Sequence, residues 1–158
     1  MRAIVLEYHD VVDGDFGASG FAGVAADSYK LSAADFAAHL DALGGLPAPV
    51  GGDVRALGDA PSPPPVLFTF DDGGVGACDA ADLLERRGWL GHFFVTTERI
   101  GTPGFLDAAQ LRDLEKRGHV IGSHSHSHPP RMARLTPEEA RSEWHRSRSI
   151  LGDLLGHP

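Results

Sequence analysis

Three histidines at alternate positions, His124, His126 and His128, and a pair of adjacent carboxylates, Asp71 and Asp72, are the residues of this sequence best suited to chemistry. Imidazole nitrogen and carboxylate oxygen together suit a divalent transition ion, and a set of two His and one acid leaves coordination positions open for water and substrate. His124 and His128 stand four apart, the spacing that puts two side chains on one side of a helical turn, with Pro129-Pro130 to stop it. Adjacent carboxylates repel and in a strand point to opposite faces, so Asp71-Asp72 calls for a cation. One Asp then ligates it while the other stays free as a general base, and spacing alone leaves open which does which. The blander alternatives are a solvated histidine loop and an exposed acidic turn closed by Gly73-Gly74. Both lose weight because each segment follows a strand-like run, at 66–70 and 119–122. In a parallel α/β fold, loops leaving the carboxyl ends of strands gather on one face, so segments about fifty residues apart share a pocket. The chemistry these residues describe is metal-assisted hydrolysis.

The elements that must position them follow from the rest of the chain. Residues 3–8 are mostly apolar and read as a buried first strand ending at Tyr8-His9-Asp10, which places His9 on the same face. Residues 11–31 carry Gly14, Gly17, Gly20 and Gly23 without a sustained period and read as a loop rimming the pocket. Ser32 caps a helix whose Phe36, Leu40 and Leu43 share one face, with His39 at its surface. Between 44 and 65, eleven of twenty-two residues are Gly or Pro, which makes this stretch a connector with a short helix at 54–57. The forty-odd residues before it are too few for a core of their own, so it joins parts of one domain.

Downstream the rhythm is regular. Strand 66–70 leads to a helix at 77–87 with Leu83 and Leu84 inward and Gly88 as its stop, then to a strand at 91–96. Asp107 and Gln110 form a capping box for a helix that buries Leu111 and Leu114 and ends before Gly118. A strand at 119–122 follows. Thr136-Pro137-Glu138-Glu139 is a second capping box, opening a helix whose stripe runs through Ala140, Trp144, Ser147, Leu151 and Leu154 to Gly156. Strands and helices alternating at this spacing specify right-handed βαβ units and a parallel sheet.

The chain has 158 residues, the size of one domain and short for a closed eight-stranded barrel. Its 14 Lys and Arg against 22 Asp and Glu give a net charge of −8, and with no basic run it is not a nucleic-acid binder. Cys78 is alone and reads as a small helix residue, so no intrachain disulfide forms. The apolar start after Met1-Arg2 is too short for a signal-peptide core, and no stretch of about twenty apolar residues offers a membrane span. As written the chain reads as soluble and cytoplasmic; removal of a leader would leave the same sequence and place the protein in the cell envelope or outside the cell.

Thr69-Phe70-Asp71-Asp72-Gly73 and His124-Ser125-His126-Ser127-His128 resemble the first two motifs of the polysaccharide deacetylase family, carbohydrate esterase family four, with its NodB-like homology domain. The likeness continues through Tyr8-His9, Phe93-Phe94-Val95, Gly104-Phe105-Leu106, the approach from Gly118 to Ser123, and Leu135-Thr136-Pro137-Glu138-Glu139. It implies a distorted (β/α) barrel that removes N- or O-acetyl groups from sugar polymers with a divalent ion, usually zinc and in some members cobalt or nickel. By position it implies Asp71 as the general base and Asp72, His124 and His128 as the metal ligands. His126 has no role in the family and is expected to face solvent or to support the ligands from behind; His9 is expected to meet the substrate. The family's later motifs, including its general-acid His, have no match here, so the chain is expected to be an incomplete barrel, residues 1–158 forming its first part, prone to self-association. Two rival readings stand beside this one. The first is a metal- or glycan-binding remnant without catalysis. The second is an amidohydrolase-type site using His124 and His126, although that pair belongs after the first strand of its barrel and here follows the fourth.

Overall fold

A computed structural model describes residues 2–48, 50–57 and 62–157. Its elements in order are β1 (Ile4–Tyr8), β2 (Asp10–Val12), α1 (Val24–Asp27), β3 (Lys30–Ser32), α2 (Ala33–Leu43), β4 (Val66–Phe70), α3 (Ala77–Glu85), β5 (Gly91–Val95), α4 (Ala108–Lys116), β6 (Val120–Ser123) and α5 (Pro137–Leu155). Parallel pairing joins β1, β4, β5 and β6 in that order into an open sheet, with Tyr8 opposite Phe70, Phe70 opposite Phe93, and Val95 opposite Ser123. This register aligns the carboxyl ends of all four strands, and the α/β alternation expected from the sequence is what the chain adopts. Among the described residues the sheet does not close into a barrel.

The expected caps are in place. Asp107 accepts from the N–H groups of Ala109 and Gln110, both at 2.8 Å, and Gln110 accepts in return from the Asp107 N–H. Thr136 and Glu139 make the same reciprocal pair, Pro137 takes the first turn of α5, and Gly156 ends it in a left-handed conformation at φ 82°. These reciprocal bonds satisfy backbone donors that a helix leaves open, which is why both starts are legible from sequence. The short helix expected at 54–57 is a single 3₁₀ turn, Val54–Ala56. Pro49 and residues 58–61 of the connector lie outside the described residues.

Aromatic rings fill the core beneath the strand ends. Phe70 stacks on Phe93 with centroids 4.8 Å apart and meets Phe36 edge-on at 5.7 Å, and all three are buried. Phe70 directly precedes Asp71, so burying one side chain fixes the exit direction of the next residues. Such pairs add about 0.5–1.5 kcal/mol each beyond their area.

Three expectations need correction. The first strand is not buried: β1 is an edge, and Ile4 and Val5 are 49% and 53% exposed, because among the described residues it pairs with β4 alone. Residues 11–31 are not a plain loop; they hold α1 and a two-stranded parallel ladder of β2 and β3, with Val11 fully buried. A three-residue strand carries too little periodicity to be read in advance. Trp144, placed on the inward stripe of α5, is 47% exposed, since the apolar groove it lines with Ile121, Leu151 and Leu155 is left uncovered by the described residues.

His119 joins two elements through both ring nitrogens. Nδ1 accepts from the Gly91 N–H at 3.0 Å, so the ring proton sits on Nε2, which faces Glu85 Oε1 at 3.0 Å. Burial outweighs Glu85 and holds this histidine below its ordinary 6.5. Protonation at Nδ1 would break the Gly91 bond. The unfolded chain therefore binds a proton that the fold refuses, and stability present above about pH 6.5 is lost as the pH falls below it. Urea denaturation from pH 7.5 to 5 is expected to show this loss, with a smaller slope in His119→Gln, although that variant is less stable throughout.

Candidate metal centre

Asp71, Asp72 and His124 leave the strand ends under backbone control. The Asp71 N–H donates to Tyr8 O at 2.9 Å, the Thr96 N–H to Asp72 O at 3.1 Å, and the His124 N–H to Val95 O at 2.9 Å, so the turn after β4 and the start of the histidine loop are tied to neighbouring strands. Asp72 then takes a left-handed backbone at φ 71°. Left-handed Asp is uncommon but tolerated better than most residues. Gly74 completes the turn at a point of close approach, for a Cβ there would lie 2.1 Å from Asp10 Oδ2.

The side chains of Asp72, His124 and His128 converge, each offering an atom within 4.8 Å of the others. Asp72 Oδ1 lies 3.5 Å from His124 Nε2 and 3.5 Å from His128 Nε2. Those separations are too long for hydrogen bonds and close to the roughly 3.4 Å between atoms set about 2.1 Å from one tetrahedral ion. Asp72 Oδ1 is also buried without a hydrogen-bond partner among the described residues. An orphaned carboxylate oxygen facing two imidazole nitrogens is a donor set that fits a divalent cation. Asp71 stands outside this triangle, with Oδ2 3.8 Å from His124 Nδ1. Burial pushes its carboxyl upward, and the His124 imidazole pulls it the other way.

His124 and His128 do not share a helical turn. Residues 124–128 form an irregular loop with left-handed Ser125 and His128 at φ 66° and 54°, and the rings meet with centroids 5.2 Å apart. The i, i+4 spacing thus succeeds by a different geometry, in which Ser125 Oγ accepts from the His128 N–H at 3.2 Å. His126 is buried rather than solvent-facing; its Nδ1 lies 3.0 Å from Thr97 Oγ1. Glu143 of α5, not singled out by sequence, accepts from the N–H groups of His126 and Ser127. Burial raises this carboxyl, but the donors prevail and hold it below the ordinary range.

Residues 58–158 match the polysaccharide deacetylase family. The chain belongs to that family. It is 30% identical over 96 residues to YxkH of Bacillus subtilis (strain 168), whose name assigns it to the polysaccharide deacetylases; the match takes in 60% of this chain and 34% of that protein. Among solved structures it resembles BC0361, a polysaccharide deacetylase from Bacillus cereus, with a TM-score of 0.80 at 21% identity over 100% of this chain and 49% of that one. It also resembles the Streptococcus pyogenes deacetylase PplD in complex with acetate, with a TM-score of 0.78 at 18% identity, covering 99% of this chain and 70% of that one. These structural likenesses speak for the deacetylase fold. The chain spans about half the length of BC0361 and a third of that of YxkH.

Beside the deacetylase motifs lies a cavity of about 230 Å³, walled by Phe21, Ala25, Ala26 and Tyr29 and reaching Asp72 and His128. His9 lines it too, stacked on Tyr29 at 4.9 Å. Phe21 packs on the ring of His128 at 5.0 Å, so this wall is built onto the candidate centre. Asp10, at the same wall, is 4% exposed and accepts from the Val11 N–H at 3.1 Å, while its Oδ2 has no partner among the described residues. The sequence signal for it is faint: one acid between His9 and two valines. Burial pushes Asp10 up to about 6 from 3.8. The fold thus binds a proton that the unfolded chain releases, so the stability contributed is full below about pH 3.8 and lost as the pH rises through about 6. In metal-free protein, Asp10→Asn is expected to exceed the parent in stability at pH 7.5 by on the order of 2 kcal/mol, with the gap closing toward pH 4, read by urea denaturation at the two pH values.

Proposed function

We propose that this chain carries the metal-binding and base-bearing part of a metal-dependent carbohydrate deacetylase, hydrolysing N- or O-acetyl groups on a polysaccharide or oligosaccharide. The observation that carries the reading is the orphaned Asp72 Oδ1 facing His124 Nε2 and His128 Nε2 at 3.5 Å each, beside the unligated Asp71. Asp72, His124 and His128 would hold the ion, with zinc the best fit to two imidazoles and a carboxylate and cobalt or nickel as alternatives. When bound, such an ion supplies Lewis acidity, polarising the acetyl carbonyl and lowering the pKa of water toward about 7.

The chain's own residues supply the rest. Asp71 takes the proton of the attacking water, and its partial burial, which favours the protonated form, makes it a stronger base than a solvated carboxylate. His124 holds both roles together: its Nε2 faces the ligand Asp72 and its Nδ1 faces the base Asp71. The cavity bounded by His9, Phe21 and Tyr29 opens beside these groups, and His9 is the residue assigned to meet the acetylated sugar there. An amidohydrolase-type site is disfavoured because His126 turns toward Thr97 and away from the ligand cluster.

The first test is metal content. The parent is expected to bind one zinc per chain, His124→Ala/His128→Ala to lose it, and Asp71→Asn to keep it while acetate release from an acetylated chitooligosaccharide falls by about 10²–10⁴-fold in an active form of the enzyme. Loss of zinc in Asp71→Asn alone would exchange the two carboxylates.

The second test concerns the incomplete barrel. The outer edge of β6 runs beside an apolar groove of about 400 Å³ lined by Ile121, Trp144, Leu151 and Leu155, and β1 exposes Ile4 and Val5 at the other edge. We read these as surfaces for further strands and helices of the same barrel. A chain extended downstream by about a hundred residues should release acetate faster than this one and remain monomeric where this one self-associates. Equal turnover by two monomeric forms would show that residues 1–158 suffice.

A further inference from the structure

Glu143 belongs to none of the strands that carry the candidate ligands, yet its carboxylate is fully engaged with the histidine loop. Oε2 accepts from the backbone N–H groups of His126 at 3.0 Å and Ser127 at 2.8 Å, and Oε1 accepts from Ser127 Oγ at 2.9 Å. One turn along α5, the buried Ser147 accepts from Ser123 Oγ at 2.6 Å, on the residue just before His124. The loop between His124 and His128 is thus gripped from one helix face at two levels.

The grip matters because the loop is not a regular element. Its sheet-side ties are the bonds from the His124 N–H to Val95 O, the Thr97 N–H to Ser125 O at 3.3 Å, and the Glu98 N–H to His126 O at 2.9 Å. Ser125 and His128 both hold left-handed backbones, a conformation that costs non-glycine residues about 1–3 kcal/mol and persists only where the surroundings over-determine it. Hydrogen bonds from amides to an ionised carboxylate are among the strongest available for that purpose. Glu143 receives them at the two residues midway between the histidines.

We propose that Glu143 is a positioning residue for the metal centre: by holding the N–H groups of His126 and Ser127 it keeps the loop in the turn that points His124 Nε2 and His128 Nε2 at Asp72 Oδ1. This rests on the reading of Asp72, His124 and His128 as ligands. Groups that orient ligands from behind typically contribute 10–100-fold to metal affinity.

The experiment measures zinc affinity by competition with a chromophoric chelator in the parent, Glu143→Ala and Glu143→Gln, together with thermal unfolding of each metal-free protein. Glu143→Ala is expected to weaken zinc binding by about 10–100-fold. Glu143→Gln, whose amide oxygen still accepts both backbone bonds and whose NH₂ meets Ser127 Oγ, should recover most of that loss. If Glu143→Ala does not fold, Glu143→Asp carries the same test, since it keeps the charge but withdraws the carboxylate by one methylene and should weaken binding comparably. A lower unfolding temperature with unchanged zinc affinity would reduce Glu143 to a structural contact and overturn the proposal, as would equal losses in the Gln and Ala variants. A parent that takes up no zinc would fail the ligand assignment itself, and the positioning role with it.

Discussion

The structure turns on the buried carboxylate oxygen of Asp72 that faces two imidazole nitrogens. Asp72 Oδ1 is shut off from solvent and lacks a hydrogen-bond donor among the described residues, and beside it stand two nitrogens able to present lone pairs in the same direction. Leaving such an atom unsatisfied costs roughly 1–3 kcal/mol, more when it is charged, and the fold maintains it through a left-handed backbone at Asp72 that is itself unfavourable. Both costs are carried by the aromatic stack below, where Phe70 and Phe93 fix the ends of β4 and β5. The sequence therefore places stacked, fully buried aromatic rings beneath a buried carboxylate oxygen that has no hydrogen-bond partner among the described residues.

What could be read in advance follows from how local each determinant is. The two capping boxes, the α/β alternation and the gathering of the Asp71-Asp72 turn with His124 and His128 are legible, because each depends on residue types at short spacing or on the general geometry of parallel strand ends; in the sequence, the choice of Asp72 over Asp71 as the ligand rests on the family resemblance alone. The exposure of β1 and Trp144 is not legible, since an apolar run or stripe shows that a surface wants cover without showing whether a neighbour supplies it. Residues 11–31 concealed the short ladder of β2 and β3 for a related reason: three-residue strands are stabilised by burial under helices and leave almost no period. His124 and His128 come together on an irregular loop and not on the helical turn that their spacing suggests, and that loop depends on Glu143, which lies outside any recognisable motif. Asp10 is not legible in the sequence, because its importance comes from burial against Gly74, which exists only once β1 and β4 are paired.

The histidines divide sharply by what their two nitrogens meet. His92 and His119 are buried pins: His92 accepts from the Val54 N–H and bonds Phe68 O, and His119 joins Gly91 to Glu85. Among the described residues, the Nε2 atoms of His124 and His128 instead meet no donor and face a carboxylate. The same side chain is structural where the backbone saturates it and chemical where the backbone withholds a partner.

The parallel order of the sheet also bears on how the protein is made. The three candidate ligands lie on the ends of β4 and β6, with β5 between them, and the helix that grips the histidine loop follows directly. All of these contacts are therefore complete within one continuous stretch, residues 66–155. At a ribosomal rate of about 5–20 residues per second, that stretch emerges within several seconds. An ion captured then would cross-link strands that translation has only just paired, so that metal supply during synthesis, and not only in the finished protein, becomes a factor in how much of the chain reaches its native state.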